Sequence, residues 1–142
     1  MRPSTRRLGW LLSAFVAFTP VAALADAASA MRAAQERAVA QDWPSALAAA
    51  QGAGEIGVDV VEWQRLRAGD GRLGDYEAFL ARRPDWPGIP LLREKGEEAV
   101  ARSTDPARVI AYFGADLPET AKGSIAYIRA LQATGRVADA EN

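Results

Sequence analysis

Carboxylates are the main acid–base groups this sequence offers, because it contains no histidine and no cysteine. Without imidazole there is no Ser–His or Cys–His nucleophile pair and no histidine base. Without thiol there is no disulfide framework, no cysteine redox centre and no thiolate zinc site. Among the acidic residues, Glu94, Glu97 and Glu98 fall together in one predicted helix. A carboxyl there, set in an apolar pocket, would act as a glycosidase-like acid with a raised pKa. The spacing speaks more for a solvated helix face. Glu94 and Glu98 stand four apart and repel, Arg93 and Glu97 stand four apart and attract, and helical glutamates are mostly exposed. Glu62, next to Trp63, reads the same way, as a surface ion-pair partner.

The remaining polar constellations reduce to local structure. Ser103-Thr104-Asp105 is a helix-capping sequence. Gly52-Ala53-Gly54 and Gly69-Asp70-Gly71 lack the following Lys-Ser/Thr and the preceding strand of a phosphate loop. The stretch Asp70 to Asp75 lacks the alternating oxygen ligands and terminal glutamate of a calcium loop. A formal net charge of −1 argues against a nucleic-acid partner, which calls for a basic face. Trp43, Trp63, Tyr76 and Trp86 offer faces on which sugars stack, but beside proline turns and at helical spacing they read as packing between helices. Trp86 is the exception, because it lies on a turn, and it is the one candidate for glycan contact. No catalytic residue, no cofactor and no metal ligand is assigned.

The elements that would position these groups begin with an export signal. Arg2, Arg6 and Arg7 form a basic start, Leu8 to Val21 is mostly apolar, and Ala23-Leu24-Ala25 offers the small-x-small cleavage pattern. Residues 1–25 are therefore predicted to be a cleaved signal peptide. The apolar run is shorter than the roughly 20 residues of a spanning helix, and no cysteine follows for a lipid anchor, so no stable membrane anchor is expected. Cleavage removes three arginines and no acid, which leaves a more acidic product. An exported chain without cysteine fits the bacterial periplasm.

Residues 26–142 form one predicted all-α domain. Alanine dominates its first part and favours helix, while proline and glycine cut the rest into short helices. Helices are predicted near 27–40, 45–51, 57–68, 75–82, 89–102, 106–113 and 119–134. The expected inward stripes are Ile56, Val60 and Trp63 in the third; Tyr76, Phe79 and Leu80 in the fourth; and Leu92, Gly96 and Ala99 in the fifth. Val109, Ile110 and Phe113 are expected inward in the sixth, and Ile125, Ile128 and Leu131 in the seventh. Gly96 in mid-helix costs about 1 kcal/mol against alanine, which points to close approach of a neighbour. Short helices on short turns, with Trp43-Pro44 echoed by Trp86-Pro87, imply stacked helix pairs, part of a solenoid-like α-superhelix. Residues 136–142 begin an eighth helix without a stop, so the stack is expected to be truncated at its C-terminal end.

On this framework Tyr76, Phe79-Leu80 and Pro84-Asp85-Trp86-Pro87 carry a family resemblance. Trp63 and Leu66 precede them in a Trp-x-x-Leu element; Leu92-Arg93 and Glu97, Ala111-Tyr112-Phe113, and Pro118, Thr120 and Gly123 follow. Together they resemble the N-terminal region of the soluble lytic murein transglycosylases of alphaproteobacteria. The resemblance implies a periplasmic protein that works on peptidoglycan glycan strands. In that family the bond between N-acetylmuramic acid and N-acetylglucosamine is cleaved to a 1,6-anhydro product, with one glutamate as acid and then base. That glutamate belongs to a lysozyme-like domain, commonly in a Glu-Ser context, and these 142 residues contain no Glu-Ser pair. The resemblance thus implies a non-catalytic superhelical segment whose partners are the rest of the superhelix and the lysozyme-like domain. The alternative is a complete, non-enzymatic periplasmic helical-repeat scaffold that binds a protein partner.

Overall fold

A computed structural model describes residues 21–136, and all regular structure in it is helical. The helices are α1 (Val21–Val39), α2 (Trp43–Ala50), α3 (Gly54–Arg67), α4 (Leu73–Arg82), α5 (Ile89–Val100), α6 (Pro106–Phe113) and α7 (Ala121–Ala133). A 3₁₀ turn, Gln51–Ala53, joins α2 to α3. Most of the predicted signal peptide and the predicted eighth helix lie outside the described residues, and the predicted cleavage point after Ala25 falls within α1. No helix among the described residues is long and apolar enough to cross a membrane.

The helix ends are set by local chemistry that the sequence announces. Asp42 caps α2 by accepting the Ser45 N–H at 3.3 Å, and Pro44 occupies the first turn, where a missing N–H costs nothing. Asp105 and Pro106 repeat the arrangement at α6, with the Arg108 N–H 3.1 Å from the cap. At the end of α7, Gly135 takes φ 74°. The chain reverses there through Arg136 N–H to Leu131 C=O at 2.8 Å and Gly135 N–H to Gln132 C=O at 3.1 Å, a Schellman closure that needs a left-handed residue.

Two clusters of buried side chains hold the helices. The first joins α1, α2 and the middle of α3 through Ala34, Ala38, Trp43, Ala46, Ala50 and Val61. Its alanines let the helix axes approach, so the area buried per residue is small and only Trp43 is large. The second cluster takes over at Leu66 and runs through Leu73, Tyr76, Phe79, Leu92, Val100, Val109, Tyr112 and Phe113. Phe79 meets Trp86 edge-on at 5.9 Å, a pairing worth about 0.5–1.5 kcal/mol beyond its buried area. Helix α3 belongs to both clusters. Besides packing on sequence neighbours, α3 lies against α1 and α5, and α5 against α7.

Two predicted stripes are rotated in the structure. In α3 the buried positions are Gly57, Asp59, Val61 and Leu66, whereas Ile56 is 57 % exposed and Val60 and Trp63 are only half-buried. The helix turns this way because Val61 and Leu66 serve different clusters and Asp59 must face the arginines of α4. In α7, Leu131 is buried as expected but Ile125 and Ile128 are exposed. Gly123 and Ala130 face inward instead, since a side-chain carboxylate from α5 occupies the space that only glycine leaves free.

The fifth-helix stripe of Leu92, Gly96 and Ala99 is buried as the spacing predicts. A Cβ on Gly96 would lie 2.1 Å from the Tyr112 hydroxyl and 3.1 Å from Tyr76 Cδ1. Both tyrosines are tied down, Tyr112 donating to the Arg93 C=O at 2.8 Å and Tyr76 to the Leu66 C=O at 2.9 Å. Neither ring moves aside without losing its bond. Gly96→Ala is therefore expected to destabilise the fold by about 1–3 kcal/mol despite its better helix propensity, read as a lowered thermal midpoint; an unchanged or raised midpoint contradicts the packing described.

Candidate functional site

Among the described residues two acidic side chains are buried, Asp59 and Glu97, and each is a candidate for chemistry until its partners are counted. Asp59 is carried inward by α3. Its Oδ1 accepts from Arg82 Nε at 3.2 Å and Nη2 at 2.9 Å, and its Oδ2 accepts from Arg83 Nε at 2.5 Å. The same guanidiniums continue outward, Arg82 to Glu62 at 2.7 Å and Arg83 to Glu55 at 2.5 Å. Arg65 adds Asp75 at 3.1 Å. The result is a charged lattice that bolts α3 to α4. Both oxygens of Asp59 are occupied by the protein itself, and neither is presented to a cleft.

Glu97 corrects the expectation of a solvated helix face. It is 2 % exposed, and it does not pair with Arg93, which turns instead to Asp116 at 3.7 Å. Its carboxylate accepts the backbone N–H groups of Glu119 and Thr120, each at 2.7 Å, and the Thr120 hydroxyl. That hydroxyl accepts the Gly123 N–H at 3.0 Å. Glu97 and Thr120 thus form a two-step cap on α7, satisfying donors that a helix start leaves orphaned and placing negative charge at the positive end of the helix. A Cβ on Gly123 would come within 2.2 Å of Glu97 Oε2, which is why glycine stands there. The sequence signal was the neighbourhood: Glu97 follows the close-packed Gly96 and precedes buried Val100 by three positions.

The other glutamates of that cluster are on the surface. Glu98 bonds Lys122 at 2.5 Å and Arg102 at 3.2 Å, and the Lys122 bond draws its carboxyl below the usual range. Glu94 approaches Lys95 at 3.9 Å, and Glu62 is the ion-pair partner that was expected.

The residues carrying the family resemblance are mostly core. Leu66, Tyr76, Phe79, Tyr112 and Phe113 are buried, Leu80 is partly buried against them, and Gly123 lies under Glu97. Pro84, Asp85 and Pro87 are exposed in the α4–α5 turn. Of the aromatic candidates for sugar stacking, Trp43 and Tyr76 are packing residues. Trp63 is half-buried, with Arg67 over its ring at 4.6 Å. Trp86 rests one edge on Phe79 and has Arg83 5.9 Å from its ring. It lines a groove of about 270 Å³ with Arg82, Arg83, Pro84 and Asp85. A larger groove of about 430 Å³ runs between α6 and α7, with Val109, Ile125, Ala126 and Ala130 among its walls.

Among the described residues no group of three or more Asp and Glu is placed to hold a metal ion. No family model, curated protein or solved structure matches this chain. Among the described residues the two buried carboxylates are clamps between helices.

Removing the α7 cap should be costly. Glu97→Ala strands two backbone donors and is expected to destabilise the fold by about 2–4 kcal/mol, with Glu97→Gln losing less; denaturant midpoints for the two variants that match the parent would refute the capping role. A pH effect follows from Asp75. Burial pushes its carboxyl up, but the Arg72 N–H and the Arg65 guanidinium outweigh that and hold it below the usual range. A lowered folded pKa contributes stability above the unfolded value and loses it as pH falls through the folded one. The parent should therefore weaken below about pH 4 more steeply than Asp75→Asn, as judged by thermal midpoints across that range.

Proposed function

We propose that this chain is a non-catalytic helical scaffold, the N-terminal superhelical segment of a periplasmic lytic transglycosylase. On this reading the glycan-cleaving acid belongs to a lysozyme-like domain outside these residues, and the segment positions peptidoglycan strands for it. The observation that carries the non-catalytic part is the fate of the two buried carboxylates. Asp59 is consumed by Arg82 and Arg83, and Glu97 by the start of α7. Neither has an oxygen left for a glycosidic bond, and acid catalysis of that bond needs a carboxyl within hydrogen-bond reach of the leaving oxygen. The peptidoglycan part rests on the residues from Trp63 to Gly123 that resemble the family. The alignment of α1, α3, α5 and α7 suits helix pairs stacked in a row, each burying a face on its neighbours.

A second reading is a periplasmic scaffold that binds a protein partner, favoured by the exposed Ile125 and Ile128 on α7. The two part company in how they treat cell wall. Incubated with purified murein sacculi, the chain is expected to co-sediment with them and to release no anhydro-muropeptides, and Trp86→Ala should reduce the bound fraction while leaving the helical circular dichroism intact. Release of anhydro products would overturn the non-catalytic assignment; failure to co-sediment would favour the protein-partner scaffold.

A further inference from the structure

The hairpin of α1 and α2 meets the rest of the molecule across a thin seam. The two helices pack on each other more extensively than either packs on α3. To their shared cluster α3 contributes one buried apolar side chain, Val61, with Val58 partly buried beside it. The other buried members, Ala34, Ala38, Trp43, Ala46 and Ala50, come from the hairpin itself. A polar bond also crosses the seam, Gln64 Nε2 donating to Gln35 Oε1 at 3.0 Å. Gln64 Oε1 is buried there with no partner among the described residues. An acceptor buried without a donor favours the state in which water reaches it. The seam thus combines little apolar area with a standing penalty.

The other side of α3 is anchored firmly. Leu66 lies in the second cluster, and its C=O accepts the Tyr76 hydroxyl at 2.9 Å. Asp59 is clamped by Arg82 and Arg83, and Arg65 pairs with Asp75. None of these bonds involves the hairpin. The joint between the two parts is Gly54, where the 3₁₀ turn meets α3. It takes φ 77° and ψ −175°, a region that glycine alone enters freely. A Cβ on Gly54 would meet nothing within 4 Å, so backbone conformation and not packing calls for glycine. Gly52 differs: a Cβ there would lie 2.8 Å from that of Ala30 in α1. The 3₁₀ turn therefore belongs to the hairpin, and the pivot comes after it.

We infer that α1, α2 and the 3₁₀ turn form a flap that opens as a unit about Gly54 while α3 to α7 stay folded. Opening bares Gly57, Val58, Val61 and Gln64, which follow one another at helical spacing on a single face of α3. Elements with few buried apolar contacts are the ones that open below the global unfolding free energy. This device needs neither glycan nor a further domain, so it stands apart from the scaffold reading.

The test is native-state amide hydrogen exchange of the full chain, followed residue by residue across low concentrations of denaturant. Amides in the middle of α1 and α2 should share one opening free energy. They should exchange at least about tenfold faster than the slowest amides of α5 and α6, a gap of about 1.4 kcal/mol. Their dependence on denaturant should also be weaker, since opening uncovers less surface than global unfolding. Val100→Ala, in the second cluster, separates the two events. It should speed exchange in α5 and α6 about tenfold or more and leave α1 and α2 at the parent's rate, because Val100 stays packed when the flap opens. Val61→Ala, at the seam, should speed α1 and α2. Equal protection and equal denaturant dependence in all helices would overturn the flap. So would Val100→Ala accelerating α1 and α2 along with the rest, or central amides of α1 and α2 opening at unrelated free energies.

Discussion

The structure depends on one buried carboxylate held between two adjacent guanidiniums. Asp59 enters the interior from α3, and Arg82 and Arg83 close on it from the end of α4. Burying a charge costs several kcal/mol unless its partners are well placed and its lone pairs are filled. Here Glu62 and Glu55 balance the arginines on the outer side, and the guanidiniums stay partly in water. Such an arrangement contributes little net stability against an apolar substitute. Its consequence is geometric: only one rotation of α3 and one end-point of α4 bring all these groups together. With α3 so fixed, Val61 is delivered to the first cluster and Leu66 to the second, and the two halves of the molecule share a common wall.

The same logic recurs at the other end. Glu97 is buried against the start of α7, and the two backbone N–H groups that donate to it set where α7 begins and how it is turned. Gly123 yields the room and Thr120 relays the hydrogen bond onward. The price of this rotation is two isoleucines left facing water. In each case a polar requirement chose the helix face and apolar packing adapted to it. Buried donors and acceptors are strongly directional and costly to leave unmade, whereas aliphatic side chains accept several rotations with modest loss.

This division of labour bears on function. The acids that reach the interior serve as fasteners, and the aromatic residues from Trp63 to Phe113 mostly pack the second cluster. Surface arginines are engaged in the same way, Arg102 with Glu98 and Arg108 with Glu77. Charge in the described residues thus serves largely to fix helix against helix.

Much of this was legible in the residues themselves. Helical class follows from alanine content and the lack of alternating β-branched runs. Asp42-Trp43-Pro44, Asp105-Pro106 and Gly135 mark helix ends because capping and left-handed closure are local events involving three to five neighbouring residues. Tyr76, Phe79, Leu92 and Gly96 are inward because one helical period decides them. The orientation of α3 and α7 was not legible. Each had an apolar stripe that periodicity alone would bury, but the face chosen was decided by partners 20 or more positions away: Arg82 and Arg83 for Asp59, and Thr120 for Glu97. Local propensity sees neighbours within a turn or two; the requirement that a buried carboxylate find its donors exists only after distant helices have met.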